Sequence, residues 1–435
     1  MGKQRAFAIG AGMAAIVAAA AALGVSAGAP GDAPTGAAPA ERVVTPLGRI
    51  EGAPARVVFS ADGRRLAYVV RDAAGQRVVC DGKPGVVYNH VHDEKMAFSA
   101  DGRHLGYFAR AAAMVFVCDG KEQPGEPNWQ GGFAFSPDGR RVAWAAGTTA
   151  GDLVMFVDGK PQGLVGVGRP VFSPDSRRLA YSADFLHVIA CDGKPGPRFS
   201  KVADPVFSPD SRSFAYAACE QNAWFVVCGK DRQGPYAEVA SLAFSPDGRR
   251  LVFAAQAGGR WRVTFGRNTE GQFDQVGPPV MSLNGRRLAH TAKDAGNWFI
   301  VCDGKKSPAC AAVGDPVFSS DGKRLAHSAT RNDRTVVVCD GRESAEFDEV
   351  SWVGFSPDAK HLAAVVRTPA GCVMLCDGLA GPPHEKVLVP ARFDTLAGKI
   401  RYVVVDKGEA SLVEIDWPPD RTWENAFAPA PPAAK

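Results

Sequence analysis

The sequence predicts an all-β protein: a β-propeller of four-stranded blades, about ten repeats of ~37 residues, closed by an N-terminal strand. Three observations predict it. One phrase recurs along the chain, as in "VVFSADGRRLAY", "PVFSPDSRRLAY" and "PVFSSDGKRLAH". The residue before its Ser falls at Phe59, Phe98, Phe135, Phe172, Phe207, Phe244, Met281, Phe318, Phe355 and Phe393, so neighbouring units are 35 to 39 residues apart. Each unit also holds four short apolar or alternating runs parted by turn residues, and nothing after residue 27 keeps a helical period long enough to compete.

The first strand of a unit is the apolar "PVF". "SPDG" then makes a tight turn: Pro sets φ at the second position, Asp suits the third, and Gly supplies positive φ at the fourth. The second strand alternates, as in "RRLAYSA", with Leu179 and Tyr181 on one face and Arg178 and Ala180 on the other. A variable polar loop follows, such as "GTTAGD" (Gly147–Asp152), "EQNA" (Glu220–Ala223) or "RNDR" (Arg331–Arg334). The third strand is a continuous apolar run, "WFVVC" or "TVVVC", which implies burial on both faces. "DGK" or "DGR" turns the chain again, Asp-Gly being a strong hairpin signal. The fourth strand is read in "YAEV", "FDQV" and "FDEV".

A four-stranded blade must stack against neighbours to cover its faces, so a ring leaves no end uncovered. The tenth unit offers three strands, around Arg392–Asp394, Lys399–Asp406 and Ser411–Asp416, and lacks a fourth. "LGRI" (Leu47–Ile50) has the apolar spacing of "FDEV" and no strand before it, so Val43–Ile50 is expected to complete the last blade. Propellers usually have four to eight blades, and two rings of five are the alternative. The spacing from Phe207 to Phe244 shows no break, which favours one ring of ten.

The chain therefore divides into 1–27, 28–42, 43–416 and 417–435, with repeat units starting near 57, 96, 133, 170, 205, 242, 279, 316, 353 and 391. Lys3 and Arg5, the apolar stretch Ala6–Val25 and the small-residue site Val25-Ser26-Ala27 read as a signal peptide. The alternative is an uncleaved N-terminal anchor, since the apolar run approaches the ~20 residues that span a bilayer. Residues 28–42 form a Pro-rich spacer expected to be disordered, and "APAPPAAK" ends a Pro/Ala-rich tail. An exported chain is expected, periplasmic or extracellular and monomeric, with no membrane insertion after cleavage. Past residue 27 the chain holds 48 basic against 46 acidic side chains (Lys3 and Arg5 being removed from 50), a small surplus taken as spread through similar repeats. That balance offers no electrostatic case for nucleic acid.

"FSPDGRRLAY" followed by "CDGK" resembles the TolB-type, WD-repeat-like propeller repeats of exported bacterial proteins. The resemblance covers about Val43 to Asp416 and implies the propeller fold. Two departures limit it. The sequence has no Gly-His and no Trp-Asp dipeptide, so the WD-repeat hydrogen-bond network is not implied. The α/β domain that precedes the propeller in TolB proteins has no counterpart, so their partnership with an envelope lipoprotein is not carried over.

Seven of the ten Cys end the third strand: Cys80, Cys118, Cys191, Cys228, Cys302, Cys339 and Cys376. Equivalent positions in adjacent blades lie near the ~10 Å of stacked sheets, too far for a disulfide, so these are read as small buried hydrophobes. A Cys302–Cys310 hairpin bridge is conceivable. His90 and His92 in "NHVHDE" share a strand face and are the metal candidates, although no third ligand is visible. His290 and His327 take the structural position of Tyr181, and Trp224, Trp261 and Trp298 share a packing position in the third strand. The paired Arg of "GRR" and the turn Asp (Asp138, Asp175, Asp210, Asp247) recur too often to be catalytic, and are read as an Asp–Arg or Asp–backbone contact that holds the turn.

No nucleophile elbow, zinc-protease, P-loop, dinucleotide or Cys-x-x-Cys motif is present, and no catalytic or cofactor-binding residue is assigned. The expected function is a non-enzymatic scaffold that binds a protein, a peptide or a cell-envelope component through its variable loops, without a cofactor. The alternative is a small-ligand binder, or a hydrolase- or lyase-type enzyme, that uses the central channel.

Overall fold

The recurrent Ser closes each first turn from inside. In the second repeat Ser99 Oγ donates to Asp101 Oδ1 at 2.6 Å and accepts from the His104 backbone N–H at 2.9 Å. Asp101 Oδ1 also accepts the Arg103 N–H, and Gly102 adopts φ 71°. The hydroxyl is thus buried at almost no polar cost, because both its roles are filled. The Asp-Gly turns are two-residue hairpins with both residues left-handed, Asp81 at φ 51° and Gly82 at φ 77° in the first. This is the type I′ geometry that matches strand twist.

A computed structural model describes residues 41–49, 57–123, 126–127, 132–147, 153–165, 168–183, 187–394 and 399–417. Within these residues the chain forms ten antiparallel sheets and no helix. The first blade comprises Val57–Phe59, Leu66–Asp72, Gly75–Cys80 and Lys83–Pro84, in that order from the axis outward. The tenth comprises Lys386–Asp394, Lys399–Asp406, Glu409–Asp416 and, outermost, Glu41–Arg49.

The ring is single. Ala215, Ala217 and Val226 of the fifth blade pack on Val239, Leu251 and Phe253 of the sixth, the point at which two rings would have parted. It is also closed. Glu41–Arg49 pairs antiparallel with Glu409–Asp416 over the whole strand, and Leu47 packs with Val57, Phe59 and Tyr68 of the first blade. The Tyr68 hydroxyl donates to the Leu47 carbonyl at 2.7 Å. The clasp begins two residues before Val43, inside the expected spacer, while Ile50 lies outside the described residues. At the other end Trp417, expected to open the tail, stacks on Phe393 and belongs to the ring. The expected signal segment and the rest of the tail also lie outside the described residues.

The fourth strand differs from the sequence reading. Its paired core is the pair after Asp-Gly, as in Lys83–Pro84. In "FDEV" only Phe347 still bridges the third strand, at Thr335, whereas Glu349 and Val350 already open the inner strand of the next blade. The chain therefore crosses between blades at Asp348, whose N–H donates to the Arg367 carbonyl of the next blade. The apolar Val after the acid looked like part of the same amphipathic run because both halves are half-buried against the same inter-blade seam.

Inner strands are kinked near the residue equivalent to Tyr181. In four blades this splits the strand in two. Pro205, Pro279 and Pro316 sit in the break, between paired segments such as Lys201–Val202 and Val206–Phe207. The inner edge is unpaired, so Pro loses no ladder bond there and blunts the edge.

In three blades the turn Gly is replaced, yet φ stays positive: Ser176 (63°), Ser211 (61°) and Ala359 (60°). The two Ser recover something, since Ser176 Oγ accepts the Asp138 N–H of the preceding blade at 3.0 Å and Ser211 Oγ that of Asp175 at 2.9 Å. The Ala359 methyl recovers nothing polar. Ala359→Gly is therefore expected to stabilise the protein by about 1 kcal/mol, read as a higher melting temperature, whereas Ser176→Gly is expected to be near neutral.

Candidate functional site

The two ends of the ring differ in kind. One carries the first and second turns of every blade and is called the turn face; the other carries the connections from second to third strand and the crossings between blades, and is called the loop face.

On the turn face the second basic residue of each phrase ties its blade to the next. Arg65 Nε pairs with Asp81 at 2.8 Å, Nη1 donates to the Gly102 carbonyl of the second blade at 2.9 Å, and the guanidinium lies 5.0 Å above the Phe98 ring. Arg178 and Arg287 repeat the arrangement with Asp192 and Asp303, over Phe207 and Phe318. His104 substitutes in the second blade, on Asp119 and beside Phe135, and His361 in the ninth, on Asp377 and stacked on Trp417 at 4.8 Å. The first-turn Asp makes the expected backbone contact, as Asp138 does with the Arg140 N–H, and meets Arg only loosely, as Asp247 does Arg250 at 3.7 Å; the close Arg contact goes to another acid. The acid is that of the Asp-Gly turn, and the contact also spans blades. The fifth blade lacks the latch, having Ser213 and Gly229 at the two positions. Near there a recess of about 500 Å³ opens between Arg232, Tyr236, Thr264 and Arg267.

The third-strand Cys belong to this latch. Arg65, Arg178 and Arg287 each place Nη2 3.0–3.2 Å from Sγ of Cys80, Cys191 and Cys302. Five of the seven are only half-buried, so the hydrophobic reading holds in full only for Cys339 and Cys376. Burial, reinforced by the adjacent Asp, pushes the Cys80 and Cys302 thiols up to about 11, which keeps them as unreactive thiols at neutral pH. All ten Cys are free. The conceivable Cys302–Cys310 bridge fails on register: Cys310 pairs with Trp298, four residues along the strand from Cys302, or ~13 Å.

On the loop face the described connections are short but not of one kind: Ala111–Ala113 is a three-residue turn, and Ala73-Ala74 is not left-handed. Gln221 and Asn222, and likewise Asn332 and Asp333, are both left-handed, so "EQNA" and "RNDR" are tight type I′ turns. Of Gly147–Asp152 only Gly147 is described. Single ion pairs brace this face: Glu220–Arg232 at 2.6 Å, Arg331–Glu343 at 2.7 Å, and Arg334 with Asp348. None has an equivalent in every blade.

His90 and His92 lie together on the inner strand His90–Phe98, ring centroids 4.6 Å apart and edge to face. The shared face was read correctly. His92 Nδ1 meets Glu94 at 3.2 Å, and Asp93 pairs with Arg71 at 3.5 Å. Among the described residues no group of three His, Cys, Asp or Glu could hold a metal ion. The four residues Asp93 to Met96 bulge opposite Tyr107 alone, which re-aims side chains beside the channel.

His290 and His327 are buried in the Tyr181 position, each Nδ1 near the next residue's carbonyl, and burial lowers His327 to about 4. They are packing groups. Trp224 and Trp261 face Tyr236 and Phe273 across the ladder and are half-buried.

The clasp holds His384, one of four His that sequence reading passed over. His384 Nε2 meets Glu41 at 2.8 Å and Nδ1 meets Asp406 at 2.6 Å. The Glu41 contact, with Asp406 behind it and against the cost of burial, raises its pKa to about 9. The protonated ring is thus favoured by folding. Its contribution is complete below about pH 6.5 and is lost as pH rises through about 9. Stability is expected to fall by on the order of 2 kcal/mol between pH 7 and pH 10, and His384→Gln to flatten that slope in urea titrations at the two pH values.

No protein-family model matches the chain, and no curated protein matches it. Among solved structures, that of a eukaryotic initiation factor is similar over 82% of this chain and 99% of its own, at 12% identity and a TM-score of 0.47. The dihydro-heme d1 dehydrogenase NirN is similar over 72% and 78%, at 16% identity and a TM-score of 0.39. TolB from Acinetobacter baumannii is similar over 63% and 75%, at 12% identity and a TM-score of 0.27. Likenesses this distant have no bearing on what the ring binds.

Proposed function

We propose that the protein is an exported, non-enzymatic scaffold that binds a protein, a peptide or a cell-envelope component on its loop face. One observation carries the reading: the turn face repeats the same latch in most blades, whereas the loop face presents non-repeated side chains on short turns that differ between blades. A rigid frame with varied tips is how interaction surfaces are built on repeat folds. Glu220, Arg331, Arg334, Asp348 and Glu349 supply polar contacts there, and the bulge at Asp93–Met96 adds the His90–His92 edge. Export rests on Lys3, Arg5 and the run Ala6–Val25, and mass spectrometry of secreted material is expected to find an N-terminus near Gly28.

The test is capture from an envelope extract with the parent chain and two variants. In one, Glu220–Ala223 and Arg331–Arg334 are scrambled around their turn residues. In the other, Arg140 and Arg177 of the turn face become Ser. A partner lost with the first and kept with the second supports the reading. A partner kept by the scrambled loops and lost with the second refutes it.

A further inference from the structure

We propose that the turn face is a docking surface for an anionic phospholipid bilayer, separate from the loop-face partner. The nearly balanced charge of the chain is not spread evenly. Because each repeat puts the same residue types at the same height, the charges sort by face. Across the first nine blades the turns hold nine basic residues at the first position of the "RR" pair, six at the second, six after the Asp-Gly position and two, Lys230 and Arg267, in place of its Gly, 23 in all. They hold eight acids in each kind of turn, 16 in all. Against 48 basic and 46 acidic residues past residue 27, this face is net basic and the rest of the chain net acidic.

The acids, though mostly exposed, are engaged by their own turns or by the second Arg, whereas the first bases are held less closely. Asp101, Asp138 and Asp175 accept from a Ser hydroxyl and a backbone N–H of their own turns. Asp81, Asp192 and Asp303 are held by the second Arg of the pair. What projects is the first basic residue, exposed in all nine blades from Arg64 to Lys360, and an outer circle from Lys83 to Arg342. Where the first base meets an acid, it is the Asp of its own turn at 3.3–4.0 Å, as in Lys323–Asp321 and Arg64–Asp62.

Two further observations favour a bilayer over another polyanion. The density peaks in the sixth and seventh blades, where Asn284 replaces the turn Asp and Gly266-Arg267 lacks the Asp-Gly acid. In their midst Leu283 stands 40% exposed where five of the other eight turns have Pro and three have Ala or Ser, an apolar tip suited to a lipid interface and not to a phosphate backbone. The chain also enters and leaves the ring here: Glu41 pairs with Ile415, beside Asp416 and Lys399. The segment that precedes Glu41 after the expected cleavage near Gly28 therefore joins the ring on the basic face. Bases spread over a whole disc fit a plane, whereas a nucleic-acid duplex would meet only a strip of them.

The test uses the exported chain from Gly28 onward, free of Lys3 and Arg5, and sedimentation with vesicles of phosphatidylcholine, alone or with about 30% phosphatidylglycerol, at about 0.05 and 0.3 M salt. The readout is the anionic preference. That preference is expected to be at least tenfold at low salt and to shrink at high salt. The triple variant Arg249→Glu, Arg267→Glu, Arg286→Glu is expected to lose it, Leu283→Ser to halve binding or more, and the loop-face pair Asp348→Asn, Glu349→Gln to leave it unchanged. Unchanged melting temperatures exclude unfolding. Equal binding to the two vesicles, indifference to the triple variant, or tighter binding of duplex DNA than of anionic vesicles at equal phosphate overturns the proposal. Loss of the loop-face partner leaves it standing.

Discussion

Leu47→Asp is expected to open the ring and to cost about 4 kcal/mol, seen as a large drop in the urea midpoint. Leu47 is buried in the seam of the tenth and first blades, against Val57, Phe59 and Tyr68. Truncating such a side chain to Ala costs about 3 kcal/mol, and a carboxylate there must also be desolvated without a partner. The effect reaches beyond one seam. If Glu41–Arg49 detaches, the edge of Glu409–Asp416 is bared and Tyr68 loses its carbonyl acceptor. A free, flat edge recruits other chains, so dimers or larger species are expected in gel filtration. Leu47→Ala serves as the milder member of the pair. A Leu47→Asp protein within about 0.5 kcal/mol of the parent would show that the clasp is incidental to closure.

The second large effect separates two neighbouring arginines. Arg287→Ala is expected to cost about 2 kcal/mol, whereas Arg286→Ala is expected to cost less than about 0.5. Arg287 pairs with Asp303 at 2.9 Å, lies 5.1 Å above the Phe318 ring of the next blade and donates to the Lys323 carbonyl. Its removal leaves Asp303 and that carbonyl short of a donor in a half-buried seam. Each exposed ion pair alone would be worth little; the sum of pair, carbonyl and ring contact carries the figure. Arg286 is exposed on the turn face and reaches none of these groups. Equal melting temperatures for the two variants would refute a latch role. Arg287→Lys is expected to recover less than half of the loss, because an ammonium cannot serve three directions in one plane.

The sequence alone determined the repeat, the first three strands of each blade, both kinds of turn and the identity of the closing strand. These are local matters. Ser, Asp and Gly in a fixed order leave the backbone few options, and alternation assigns each side chain a face. The partner of Leu47 was legible because an unmatched fourth strand and an unmatched first strand were both on the page. The structure decided what depends on which blade faces which. Arg65 and Arg178 read as braces of their own turns and proved to grip the next blade. "FDEV" read as one strand and proved to cross between two, since half-burial looks the same on either side of a seam. His384 offered no signal at all, because its partners Glu41 and Asp406 lie 343 and 22 residues away. Charge sorting was hidden for the same reason: a near-zero total says nothing of height, and only stacking identical modules around one axis puts every first Arg of a pair on the same side of the disc.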